Sequence, residues 1–226
     1  MLVQLSQLSK IYGKKIGIEN LSISLQSGET IGLIGLNGSG KTTTLKLLAG
    51  LLHPTHGTIM LEGKTPWQQR HQLVFHSELD TLYPWLDYNG AIKFMSGLYP
   101  NFNQKKFTEL FTLLEVPKSI CAKMSKGQKS RFKLAISLSQ GAKLILLDEP
   151  LSGIDIISRK KIMQTLLNEH GSDTTMLIST HEIELAQEVF DRILIVNNGK
   201  LVLDGSSEEL LKDGKNIVSI FEEAIQ

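Results

Sequence analysis

Cysteine is nearly absent from this sequence: Cys121 is the only one in 226 residues. No intrachain disulfide can form, which agrees with a reducing compartment. Cys121 stands in no metal-type spacing and reads as an inert packing residue. Long apolar runs are missing too. The densest, Leu144 to Leu147, falls far short of the roughly 20 residues that cross a bilayer. The N-terminal stretch MLVQLSQLSKIYGKK shows no basic-then-apolar leader pattern. A soluble chain is expected, reaching a membrane only through a partner. Neither sign of charge is in excess: 24 Lys and Arg face 23 Asp and Glu, a net charge of +1. That balance argues against a chain held on nucleic acid by phosphate contacts, although a local basic face stays open. Repeats and low-complexity linkers are also lacking. What remains is ordinary globular composition, 41% hydrophobic and 21% charged, with length for one large domain or two small lobes.

Periodicity organises the chain. Residues 1–35 read as strands, with a turn at Gly13 and a buried strand, ETIGLIG, that ends at Gly35. Helical spacing of Leu45, Leu48, Ala49 and Leu52 predicts a helix over 42–52, broken by HPTHG. TIMLEG, 58–63, predicts a short strand. The middle, 78–140, changes character: 91–99 and 105–115 carry helical periodicity, with Phe107, Leu110, Phe111 and Leu114 on one face, and a helix is expected near 129–138. Beyond it, strands at 142–150 and 174–180 alternate with helices at 158–169 and 182–190, and 192–205 predicts a hairpin turning at NNGK. The alternation implies an α/β fold with a mostly parallel sheet.

The loop GLNGSGKTT, Gly35 to Thr43, fits G-x-x-x-x-G-K-[ST] between a strand and a helix. Glycines at Gly35, Gly38 and Gly40, with Asn37 and Ser39 between them, let backbone N–H groups approach a phosphate chain. The helix that follows adds the positive end of its dipole. Lys41 would reach the β and γ phosphates, Thr42 would supply a hydroxyl to Mg²⁺, and Thr43 continues the binding loop. The strand LILLDEP supplies the complementary carboxylates. Asp148 ends an apolar strand, where a charge needs a metal or a cation, and Glu149 is placed to activate water.

Three further segments carry a family resemblance. MSKGQKSR, 124–131, resembles the signature loop of ABC-type ATPases, LLDEPLSGID, 146–155, resembles their joined Walker B and D-loop, and STHE, 179–182, resembles their switch-histidine segment. The motifs stand in the family's order over essentially the whole chain. The resemblance implies a single ABC ATPase domain over 1–226: a P-loop NTPase core, about 1–77 and 141–226, with an antiparallel β subdomain and a helical subdomain, about 78–140. It implies ATP and Mg²⁺ as ligands, Tyr12 stacked on adenine, Asp148 on the metal, Glu149 polarising water and His181 at the γ-phosphate. Ser125, Lys126, Gly127, Gln128 and Asp155 would act on ATP held by a second subunit in a head-to-tail homodimer or heterodimer.

The sequence departs from the family pattern at Lys126, where a glycine is usual, and in the switch loop, where glutamine is usual. There LVF leads to His76, the preferred match, with Glu78 as a nearby alternative. The D-loop, LSGID, differs mildly. The aromatic stretch 79–103 resembles that of bacterial exporter ATPases of the YtrB type, which implies that Tyr83, Pro84 and Trp85 dock a transmembrane permease subunit at the cytoplasmic face. The short C-terminal tail implies no added regulatory domain. Two other readings stay open: a soluble ABC ATPase, for instance in iron–sulfur assembly, and a non-hydrolysing nucleotide sensor.

Overall fold

Continuous apolar strands with buried residues on both faces form the centre of the molecule. The computed structural model describes residues 1–155, 159, 162–163, 165–166, 173–183, 190–212 and 216–225. Strands β1 (Val3–Tyr12) and β2 (Lys15–Leu25) form an antiparallel pair. Strand β3 (Thr30–Ile34) runs into helix α1 (Lys41–Leu48), and β4 (His56–Leu61) returns to pair with β1. Then come β5 (Leu73–His76) and three helices, α2 (Tyr88–Leu98), α3 (Gln104–Leu113) and α4 (Lys126–Leu138). Strands β6 (Leu144–Asp148), β7 (Thr175–Thr180), β8 (Arg192–Asn197) and β9 (Lys200–Ser206) follow, and helices α5 (Ser207–Leu210) and α6 (Ile217–Ile225) close the described chain.

Two sheets result. One is three-stranded, in the order β2-β1-β4. The other is six-stranded, in the order β5-β6-β7-β3-β8-β9, and is parallel except for the β8–β9 hairpin. The large sheet divides two hydrophobic cores, and strand alternation decides which core each side chain joins. In β6, Ile145 and Leu147 face the core shared with α3 and α4, while Leu144 and Leu146 face the core shared with β1, β2 and α1. In β7, Met176 and Ile178 take the first side and Leu177 the second. Both faces are covered, so the strands read as unbroken apolar runs.

The helical part has an aromatic centre. Phe107 is fully buried, with ring centroids of Tyr88, Phe102, Phe111 and Phe132 between 5.5 and 6.1 Å away. Phe107→Ala is expected to cost about 3–5 kcal/mol of stability, read as a lowered denaturation midpoint with unchanged slope in urea. Cys121 is buried, and burial pushes its thiol up to about 11, as fits a packing residue.

The expected helix over 42–52 ends earlier, at Leu48. Gly50 takes a positive φ of 66°, and the N–H groups of Leu51 and Leu52 both donate to the Lys46 carbonyl, which closes the last turn. Leu52, counted in the apolar period, lies beyond the helix and is half-buried. Helix α4 begins at Lys126 rather than near Lys129, because Ser125 and Gln128 form a reciprocal capping box. The helices expected at 158–169 and 182–190 fall largely outside the described residues. The hairpin turns at Asn198 and Gly199, both at positive φ, as a two-residue turn of this kind requires. Among the described residues, no helix is long and apolar enough to cross a membrane.

Candidate active site

Strand β3 delivers the glycine loop and α1 carries it away. At the junction, Gly40 has φ +113°, and a Cβ there would stand 2.7 Å from the Gly17 carbonyl. Only glycine combines that backbone with that approach. The loop is walled by strands distant in sequence: the Gly199 N–H donates to the Ser39 carbonyl, and the Glu19 N–H donates to the Gly199 carbonyl. Ser39 Oγ is buried without a hydrogen-bond partner among the described residues.

Lys41, the first residue of α1, is buried. Its ammonium donates to the Gly35 carbonyl at 2.7 Å and lies 3.4 Å from Glu149 Oε1. Thr42 Oγ1 donates to Asp148 Oδ1 at 3.0 Å, so the loop and the end of β6 meet through this pair. Ser179, on the neighbouring β7, was not singled out from sequence. Its hydroxyl donates to Asp148 Oδ1 at 2.8 Å and accepts the Glu149 N–H at 3.1 Å. Its signal was there: a serine inside an apolar strand, two residues before the histidine of STHE.

Burial pushes the Asp148 carboxyl above its usual range. Hydrogen bonds from Ser179 and Thr42 pull it back, and the nearby Glu149 and Glu78 carboxylates add to the upward push. Glu149 has φ +47°, a left-handed backbone that costs a side-chain-bearing residue about 1–3 kcal/mol. Its carboxylate bridges two partners, Lys41 on one oxygen and His181 Nδ1 at 2.9 Å on the other. Tyr12 is half exposed on the rim of the same cleft, with Lys10 Nζ 5.5 Å from its ring centre. Asn37, Gly38 and Thr43 also line the cleft.

The switch segment places His76 and Glu78 in different surroundings. That ring is buried between β5 and α4. Ser137 Oγ donates to the Lys133 carbonyl, so it accepts from His76 Nδ1, at 3.3 Å. Burial, with the Lys133 cation adding to it, holds His76 well below the ordinary imidazole range, and the ring is neutral. It borders a neighbouring cavity that Glu78 and Glu149 also line, and Glu78 in addition lines the cleft with Lys41 and Thr42.

At the start of α4, Ser125 Oγ accepts the Gln128 N–H, and Gln128 Oε1 accepts the Ser125 N–H at 2.9 Å. The Ser125 proton stays available to donate. Lys126 is exposed and its stem lies against Gly153 of the D-loop. Gly127 also packs close to Gly153, while Asp155 is exposed at the loop's end. The fit to Mg²⁺ is chemical: Thr42, Asp148 and Glu78 offer only hard oxygen donors. Mg²⁺ takes one or two carboxylates and completes its shell with phosphate and water.

A glycine loop between a parallel strand and a helix, facing two carboxylates at the end of a strand two places away in the same sheet, defines a P-loop nucleotide-hydrolase domain. The chain belongs to the ABC transporter family, whose profile it matches over residues 18–152. It is 36% identical to the SkfA peptide export ATP-binding protein SkfE of Bacillus subtilis (strain 168), over 90% of this chain and 88% of that one. With the ABC transporter ATP-binding protein YtrB of the same organism, identity is 30%, over 93% and 75% of the two chains. Among solved structures, the ATP-binding subunit of an ABC transporter superposes with a TM-score of 0.86 at 25% identity, covering 99% of both chains. The protein is an ATP-binding domain with ATPase activity, built on the ABC ATPase fold expected from its sequence.

Proposed function

We propose that this ATPase powers a membrane exporter, held at the cytoplasmic face through a separate transmembrane permease subunit. The observation that carries the reading is the identity with a peptide-export ATP-binding protein across most of both chains. Residues 1–226 act as one ABC ATPase domain, with its core at about 1–77 and 141–226 and its helical part at about 78–140.

Tyr12 stacks on adenine, and the Gly35–Thr43 loop cradles the phosphates with Lys41. Thr42 and Asp148 hold Mg²⁺, which neutralises charge on the phosphate oxygens when bound. Glu149 takes the proton from the attacking water. His181 and Lys41 fix its carboxylate from either side, an arrangement supported by their 2.9 and 3.4 Å contacts. Two such subunits close head to tail. Ser125, Lys126, Gly127 and Gln128, at the N-terminus of α4, meet ATP on the partner, and Asp155 lies at the same junction. Closure moves the permease, and hydrolysis resets it.

Tyr83 and Trp85 support a docking surface for that permease. Both are half exposed, stacked at 5.4 Å, and both meet Phe94 edge-on. Large exposed aromatics supported by a third ring suit an anchor.

The test is copurification. The tagged chain, extracted from its own cells in mild detergent with MgATP, is expected to carry an integral membrane protein in stoichiometric amount. Trp85→Ala should reduce that yield severalfold. Soluble partners alone, with the chain in the soluble fraction, would end the transport reading and favour a soluble assembly ATPase.

A further inference from the structure

Helix α4 is fastened to the segment after β5 along a single stripe. Lys129, Lys133 and Ser137 recur every fourth residue and so share one face of the helix. Lys129 Nζ pairs with Asp80 Oδ2 at 2.7 Å. Lys133 Nζ donates to the Ser77 carbonyl and, at 2.8 Å, to the Leu79 carbonyl. Ser137 holds His76. All four fastened residues flank Glu78, whose own side chain lines both the nucleotide cleft and the cavity beside it and accepts the Ser152 hydroxyl at 3.1 Å.

Lys133 is the centre of this stripe. It is partly buried, which penalises its charge, and Asp80, Asp148 and Glu78 lie close enough to offset part of that penalty. Packing alone would not select a lysine here, because an uncharged side chain of the same length would fill the space without that penalty. The ammonium satisfies the two peptide carbonyls on either side of Glu78.

We propose that Lys133 is a positioning residue for the ATPase reaction. By clamping the carbonyls of Ser77 and Leu79, it fixes the backbone of Glu78 and so holds that carboxylate at the Thr42–Asp148 side of the cleft. The clamp also ties Glu78 to the helix whose first turn carries Ser125–Gln128. A displacement of α4 is thereby passed to the nucleotide cleft through two hydrogen bonds. This proposal rests on the ATPase reading of the cleft.

The test is a double-mutant cycle between Lys133→Met and Glu78→Gln, run on the full chain as isolated with its copurifying partners. Lys133→Met is expected to lower kcat about tenfold, the scale of a lost charge-assisted hydrogen bond. MgATP affinity should change by less than about threefold and Tm by only a few degrees. In the Glu78→Gln background the same substitution should lower kcat by less than about twofold, because the group it positions has already been changed. An equal loss in both backgrounds, or no loss in either, overturns the proposal. Should Lys133→Met fail to fold, Lys129→Met tests the same stripe from a more exposed position. It should show the same dependence on Glu78 with a loss of about threefold, and absence of that dependence overturns the proposal equally. Failure of the underlying reading looks different: the unsubstituted chain would then neither bind nor hydrolyse MgATP.

Discussion

Glu149→Gln is expected to lower ATP turnover about a thousandfold, within the range for losing a positioned general base, while MgATP binding stays within about threefold. The amide is isosteric with the carboxylate but cannot take a proton from water. It keeps an oxygen for Lys41 or for His181, which now sit at 3.4 and 2.9 Å from the two carboxylate oxygens. The left-handed backbone at residue 149 is held from outside the side chain, because its N–H donates to both the Ser179 carbonyl and the Ser179 hydroxyl. The substitution therefore alters chemistry and leaves position alone. Phosphate release and equilibrium nucleotide binding, measured on the same preparation, separate the two. Unchanged turnover would move the proton acceptor elsewhere, with Glu78 the next carboxylate in the cleft.

Lys41→Met should act on binding. Loss of an ammonium that makes charge-assisted bonds to phosphate is worth up to about 3 kcal/mol, or roughly a hundredfold in MgATP affinity. The substitution reaches further than the ligand. Lys41 donates to the Gly35 and Leu36 carbonyls and lies beside Glu149, so the glycine loop loses an internal tie and Glu149 loses a cation. Nucleotide titration by calorimetry reads the first effect. Turnover at saturating MgATP reads the second, as a lowered kcat beyond the loss of affinity. Affinity within threefold of the unsubstituted chain would remove Lys41 from phosphate recognition.

Much of this was legible in the sequence, for reasons that can be named. Strands β3, β6 and β7 are short apolar runs bounded by turn residues, and covering both faces of a parallel sheet produces that pattern. The glycine loop is local, so its spacing alone carries the chemistry. Strand order was not legible. The placement of β3 between β7 and β8 depends on pairing between distant segments, and periodicity within each strand says nothing of its neighbours. The different surroundings of His76 and Glu78 were not legible for a related reason. His76 ends β5 and Glu78 stands two residues on, and what separates them is the partner each meets, Ser137 for one and the cleft for the other. The stripe Lys129, Lys133, Ser137 was visible as one helix face, but nothing in the sequence says that it faces residues 76–80. Ser179 went unnoticed because its role needs β6 and β7 side by side.

The clasp that Gly199 places on the glycine loop has a consequence for synthesis. The loop itself is translated early, yet its wall comes from the β8–β9 turn, and both sheet neighbours of β3, namely β7 and β8, also come late in the chain. A nascent chain that has emerged only through α4 holds the whole phosphate-binding motif without the strands that shape it. Long-range pairings of this kind form only once the distant segment is available. Nucleotide capture thus waits until β7, β8 and the β8–β9 turn have been translated, well after the loop's own residues are made.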